Sequence, residues 1–202
     1  MIFLNTYIKE TKFATSNLIK LINDEEDQLI TLKSALTNKE KHHRFLYDDF
    51  IRKDFDPDDH FNEHQMMYAF TKQASYYENQ IEPLNIKINE LKNSISAKQE
   101  SVKSLSGALL QIAKQGISIV HGNLENCPDG RVIKNEPIKN IIWQGRNQSI
   151  HYEEGRFRPA VVRCFENIGI SLNDENLAKE IIDLLNWKTY VNYEKDLISL
   201  LD

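Results

Sequence analysis

Apolar residues recur three and four positions apart along most of this chain, and that spacing predicts helix almost throughout. From Leu18 onward the pattern runs Leu18, Leu21, Ile22, Leu29, Leu32, Leu36, then Phe45, Leu46 and Phe50. Asp54-Phe55-Asp56-Pro57-Asp58-Asp59 interrupts it. Asp56 suits a helix cap, Pro57 suits a first turn, and the acids complement the helix dipole. The next helix is predicted through Phe61, Met67, Phe70, Ala74 and Tyr77, with a kink or restart at Pro83. Beyond it, Tyr77, Ile81, Leu84, Ile88, Leu91, Ile95, Lys98, Val102, Leu105, Leu109 and Ile112 alternate by four and three. This is a coiled-coil-like seam broken once, at Lys98.

Turn residues divide the remainder. Gly122 ends the long helix, and Cys127-Pro128-Asp129-Gly130 marks a loop. A helix starting near Asn135-Glu136-Pro137 carries Ile138, Ile141, Ile142 and Trp143. Gly155 and Pro159 bound a short helix through Val162 and Phe165, which Gly169 stops. Asn173 or Asp174 is placed to cap a helix holding Leu177, Ile181, Leu184 and Leu185, and a last helix carries Tyr190, Tyr193, Leu197 and Leu200. No segment alternates as a strand does. The expected fold is all-α: a long antiparallel helical hairpin, residues 1–100, continuous with a helical bundle, residues 101–202.

Composition narrows the class. Apolar residues make up 41% and charged residues 27%, which suits a globular chain, and seven glycines and five prolines suit long uninterrupted elements. No apolar run approaches the roughly 20 residues that span a bilayer, and the start lacks the pattern of a signal peptide. Cys127 and Cys164 form no metal or redox spacing and are expected as free thiols, so a cytoplasmic setting without membrane contact is expected. The net charge of −5 does not suggest a nucleic-acid binder. Its distribution does. Between Arg131 and Arg163, seven basic residues (Arg131, Lys134, Lys139, Arg146, Arg156, Arg158, Arg163) face only Glu136, Glu153 and Glu154, a local net charge of +4. A local basic footprint points to a polyanion partner.

The same stretch holds the candidate chemistry, Trp143-Gln144-Gly145-Arg146-Asn147-Gln148-Ser149-Ile150-His151-Tyr152-Glu153-Glu154. Asn147 and His151, four apart on a helix, share a face, and Arg146 sits one residue off it. A fixed cation, an amide and an imidazole are the parts needed to bind a phosphate and move protons. RNA brings its own nucleophile, the 2′-OH. In its cleavage His151 would be the acid–base group, Arg146 would stabilise the phosphorane, and Asn147 would hold the phosphate or the histidine ring. Arg131, Lys139, Arg156 and Arg158 are the candidate RNA-binding residues, and Ser118, Tyr152 and Glu153 are candidate neighbours. No cofactor or metal is called for.

Gly107-Ala108-Leu109-Leu110-Gln111-Ile112-Ala113-Lys114, Ser118, His121-Gly122 and the run from Ile141 to Glu154 together resemble the HEPN superfamily over roughly the last hundred residues. The motif that carries the resemblance is Arg-x(4–6)-His, often with Asn directly after the Arg. The resemblance implies an all-α bundle that forms a homodimer with two motifs brought together. It implies a metal-independent endoribonuclease of a toxin–antitoxin or anti-phage defence system, with an antitoxin or defence partner. It equally implies a second outcome, since some members have lost activity and serve as interaction or adaptor modules.

Two rival features are read more plainly. His60-Phe61-Asn62-Glu63-His64 has the H-x-x-E-H form of inverted zinc hydrolases, but no strand pattern or distal glutamate motif accompanies it, and an exposed polar helix face is expected. His42 and His43, beside Lys41 and Arg44, are expected on a solvated face. Trp187, Tyr190 and Tyr193 are expected to close the core.

Overall fold

A computed structural model describes the backbone of residues 2–54, 71–72 and 74–202. It is all-α, with six helices of eight residues or more among the described residues. They are α1 (Ile2–Asp54), α2 (Glu82–His121), α3 (Ile138–His151), α4 (Pro159–Ile168), α5 (Ala178–Leu185) and α6 (Tyr190–Leu201). The break expected at Asp56 and Pro57, and the His60–His64 pattern, lie outside the described residues.

The chain divides into two compact units: Asp27–Gln99, and Met1–Glu26 together with Glu100–Asp202. The first is the hairpin. Ile81, Ile88 and Ile95 are buried and fall seven apart, the spacing of one coiled-coil position, while Leu84 and Leu91 between them are half-buried. Lys92 meets Glu40 at 3.2 Å, but both side chains are about half exposed and such a pair contributes little. His43 departs from expectation. Its ring is half-buried and stacks on Tyr47 at 6.1 Å, whereas His42 and Arg44 are exposed. The irregularity expected at Pro83 is a π-helical turn, Tyr77–Ile81, closed by the Glu82 N–H on the Tyr77 carbonyl. Proline supplies no N–H and crowds the carbonyl four residues back, so widening the preceding turn relieves the conflict without ending the helix.

The second unit contains the bundle. The first 26 residues belong with it because Tyr7, Ile19 and Ile22 enter its core, beside Leu109, Ala113 and Ile117 of α2. α1 thus starts at Ile2, well before the periodic run from Leu18. Thr11 and Thr15 masked its pattern, because threonine is a weak helix former. Here Thr15 is fully buried, and its hydroxyl donates back to the Thr11 carbonyl. Tyr7 donates to the Ile112 carbonyl at 2.6 Å, and burial pushes its phenol up to about 12. Its ring lies against Gly116, where a Cβ would stand 2.7 Å from Tyr7 Cε1. Gly116→Ala is therefore expected to lower stability by about 1 kcal/mol despite alanine's better helix propensity. In a Tyr7→Ala background the same change should stabilise. Thermal unfolding of the four variants of this cycle checks the reversal of sign.

The loop after α2 folds tightly. Gly122, at φ +78°, donates to the Ser118 carbonyl and ends α2 as expected. A two-residue β-ladder then pairs Val132 with Pro137 and Ile133 with Glu136, turning through Lys134 at φ +54°. Two residues are too few to show the alternation by which a strand is recognised. α4 begins with Pro159 in its first turn and stops at left-handed Gly169. α5 departs from expectation. Its N-cap is Leu177, and its entry is served instead by the side chains of Gln148, which accepts from the Leu177 N–H, and Asn176, which accepts from the Ala178 N–H. Asn173 accepts from Glu175 within the preceding loop. Trp187 and Tyr193 close the core edge to face at 4.8 Å, as expected.

Candidate functional site on helix α3

α3 carries the Arg–Asn–His run, and its inner face fixes its rotation. Ile138, Ile141, Ile142, Gly145 and Gln148 are buried. Gly145 is a poor helix former, but it lets α5 approach: a Cβ there would stand 3.0 Å from Ile181 Cγ2. Gln148 is fully buried and fully employed, donating to the Glu175 carbonyl at 2.7 Å and accepting from the Leu177 N–H at 3.0 Å. The outward stripe of a helix bolted this way carries exposed Ile150 and His151, with Asn147 and Trp143 half-buried along it.

α2 runs alongside α3. Lys114 Nζ sits 4.3 Å from the centroid of the Trp143 ring, Gln111 meets Arg146, and Gly107 lies against Ser149. The Arg146 Nε donates to Gln111 Oε1 at 2.5 Å, and its Nη1 donates to Asn147 Oδ1 at 3.4 Å. Asn147 in turn donates from Nδ2 to Gln144 Oε1 at 3.2 Å. The guanidinium is thereby aimed, with donors left over for an anion. Asn147 acts on the arginine rather than on the imidazole.

His151 ends α3 and is about half exposed. Its Nδ1 lies 2.5 Å from Glu154 Oε1. An ionised carboxylate only accepts, so this bond forms when Nδ1 carries a proton, and Nε2 makes no hydrogen bond among the described residues. Tyr152 donates to Glu153 at 3.1 Å, and that carboxylate raises the phenol above its ordinary range, which keeps Tyr152 protonated. Ser118 bonds back to the Lys114 carbonyl. His121, the other histidine of the bundle, contacts the Leu200 carbonyl through Nε2 at 2.7 Å and is occupied there.

The basic footprint separates into two sets. Arg131 is a structural residue: its Nε and Nη2 clasp the buried Asp196 carboxylate at 2.8 Å each, and Nη2 also donates to the Leu185 carbonyl. Lys139 donates to the Cys127 carbonyl and pairs with Asp129, each at 2.7 Å, with its side chain 15% exposed. Lys134 caps the end of α4 through the Ile168 carbonyl. Arg156, Arg158 and Arg163 are exposed and make no ion pair among the described residues. The anion-binding role expected of Arg131 and Lys139 thus meets side chains already committed within the fold, while Arg156 and Arg158 remain available.

The two cysteines are buried free thiols, pushed up by burial to about 11 at Cys127 and about 12 at Cys164, which keeps them unreactive. Among the described residues no three His, Cys, Asp or Glu side chains gather as a metal site, and no helix is long and apolar enough to cross a membrane.

Sequence reasoning missed Gln111 and Glu154. Glu154 carried a local signal, since His and Glu three apart meet on a helical turn. Gln111 lies 35 residues from Arg146, and nothing in the spacing joins them. Comparison with family models, with curated proteins and with solved structures finds no match to this chain.

Proposed function

We propose that the protein is a metal-independent endoribonuclease that cleaves RNA by attack of the substrate's 2′-OH. The observation that carries the reading is the pairing, on one helix, of an aimed guanidinium at Arg146 with a half-exposed imidazole at His151 whose Nε2 makes no hydrogen bond among the described residues. The likeness of the Arg146–His151 run to the HEPN motif supports it, as does the unpaired arginine group that follows. Arg146 receives the phosphate, and His151 moves the proton. One copy supplies one such imidazole, and acid–base cleavage uses a base and an acid; with His121 occupied at the Leu200 carbonyl, the second histidine comes from a second copy, in a homodimer with two α3 outward stripes facing each other. Exposed Ile150 on that stripe suits such a contact. A toxin–antitoxin or anti-phage role, with a cognate partner and a cytoplasmic setting, follows from the same likeness.

The test is incubation with RNA in excess chelator. The expected products carry 2′,3′-cyclic phosphate and 5′-hydroxyl ends. Products with 5′-phosphates, or a metal requirement, would contradict the mechanism. Binding gives a second handle. Arg156→Glu with Arg158→Glu should flatten the salt dependence of RNA affinity, by roughly 0.7 in log–log slope for each lost phosphate contact. Lys139→Glu should instead lower thermal stability, because its ammonium lies within the fold. A slope unchanged by reversing both arginines would place the RNA elsewhere.

The second reading, a catalytically silent interaction module, draws on the guanidinium of Arg146 being partly buried and hydrogen-bonded to its own fold. It predicts stable dimers and no cleavage.

A further inference from the structure

The helical geometry of α3 ends at His151, whose φ −113° and ψ 13° leave the helical region. The chain then tightens into a 3₁₀ turn, Tyr152–Glu154, closed by the Gly155 N–H on the Tyr152 carbonyl. Gly155 is left-handed, at φ +61°, and nothing lies within 4 Å of where its Cβ would stand. The glycine therefore serves backbone conformation and not packing. The outcome of this local winding is the Glu154 carboxylate set against Nδ1 of His151.

From this we infer that Glu154 is a positioning residue: it holds His151 with its proton on Nδ1 and so makes Nε2 the atom that exchanges protons with substrate. The inference rests on the ribonuclease reading for its catalytic part, though not for its tautomer. A neutral imidazole has one donor and one acceptor nitrogen, and the partner of one decides the role of the other. In the cleavage step the 2′-OH gives its proton to the bare Nε2 as the O2′–P bond forms. The P–O5′ bond breaks, and the departing 5′ oxygen takes a proton from the imidazolium of a second copy. A ring turned the other way would present N–H to the 2′-OH and could not accept its proton.

The His151–Glu154 pair carries little of the fold's stability. Both side chains are about half exposed or more, and pairs of this kind barely affect stability. Glu154→Ala should therefore leave thermal unfolding unchanged. Its effects should appear in the ring and in turnover.

The experiment uses the full chain, labelled with ¹⁵N at histidine, with the His151 signals assigned by their loss in His151→Asn. The wild-type ring, when neutral, is expected to be protonated on Nδ1. Glu154→Ala should move it toward the Nε2-protonated form, and Glu154→Gln should hold it, since an amide oxygen still accepts. RNA cleavage should fall in kcat by about 10- to 100-fold for Glu154→Ala with KM unchanged, by analogy with the loss when a carboxylate that orients a metal-bound histidine is removed. Glu154→Gln should recover most of the loss. A wild-type ring protonated on Nε2, or a tautomer indifferent to Glu154→Ala, overturns the inference. Absence of cleavage by wild type overturns the ribonuclease reading alone, and the tautomer still decides what Glu154 does.

Discussion

His151→Ala is expected to reduce RNA cleavage by about 10²–10⁴-fold while changing RNA affinity little. His151 stands at the end of α3, half exposed, and among the described residues its side chain bonds Glu154 alone. Nothing in the core leans on it, so truncation removes an acid–base group without creating a cavity. The phosphate contacts proposed for Arg146, Arg156 and Arg158 do not involve this side chain, which is why the loss should fall on kcat. Mixed dimers sharpen the expectation. If each site draws one imidazole from each copy, a dimer with one His151→Ala chain should be as inactive as one with two. Activity close to that of wild type in His151→Ala would remove the imidazole from the mechanism.

The largest expected effect on stability lies at Asp196. Its carboxylate is buried, accepts from Arg131 Nε and Nη2, and accepts again from the Trp187 indole N–H at 2.8 Å. Together these bonds tie the β-ladder segment to α6 and to the turn before it. Asp196→Ala strips partners from a guanidinium and from a buried indole at once. Removing one member of a buried pair commonly costs about 3–5 kcal/mol, and the partial exposure of Arg131 places this case near the lower figure. A loss of about 3 kcal/mol corresponds to roughly 10 °C in Tm for a chain of this size. Glu40→Ala, which breaks the exposed pair with Lys92, should move Tm hardly at all. Thermal unfolding of both variants checks the contrast, and equal shifts would show that burial is not what gives the Asp196 pair its weight.

Arg131 also shows what a sequence can and cannot disclose. By composition it belonged to a basic footprint, but its acid lies 65 residues on, in helix α6. Charge runs report local density, and only the fold says which charges neutralise each other. Lys139 and Lys134 repeat the point through backbone carbonyls. The helices fared differently. The seven-residue spacing of Ile81, Ile88 and Ile95, the glycine stops at Gly122 and Gly169, and the proline start at Pro159 are local signals, and each corresponds to an observed feature. The first turns of α1 were hidden by threonines, and it is Tyr7, buried in the bundle core and bonded to the Ile112 carbonyl 105 residues on, that ties them down, a long-range event. The same division runs through the candidate site. Arg146, Asn147 and His151 could be named from spacing on one helix. Gln111, which aims the arginine from another helix, could not.

The most direct measurement compares two oligonucleotides that differ only in ribose or 2′-deoxyribose at the scissile position. The account predicts nearly equal binding, since the phosphates are unchanged, and cleavage of the ribonucleotide alone, since the nucleophile is gone from the other. Cleavage of the deoxy substrate at the ribonucleotide rate would contradict 2′-OH chemistry at Arg146 and His151 and would remove the basis for calling this protein a ribonuclease of that kind.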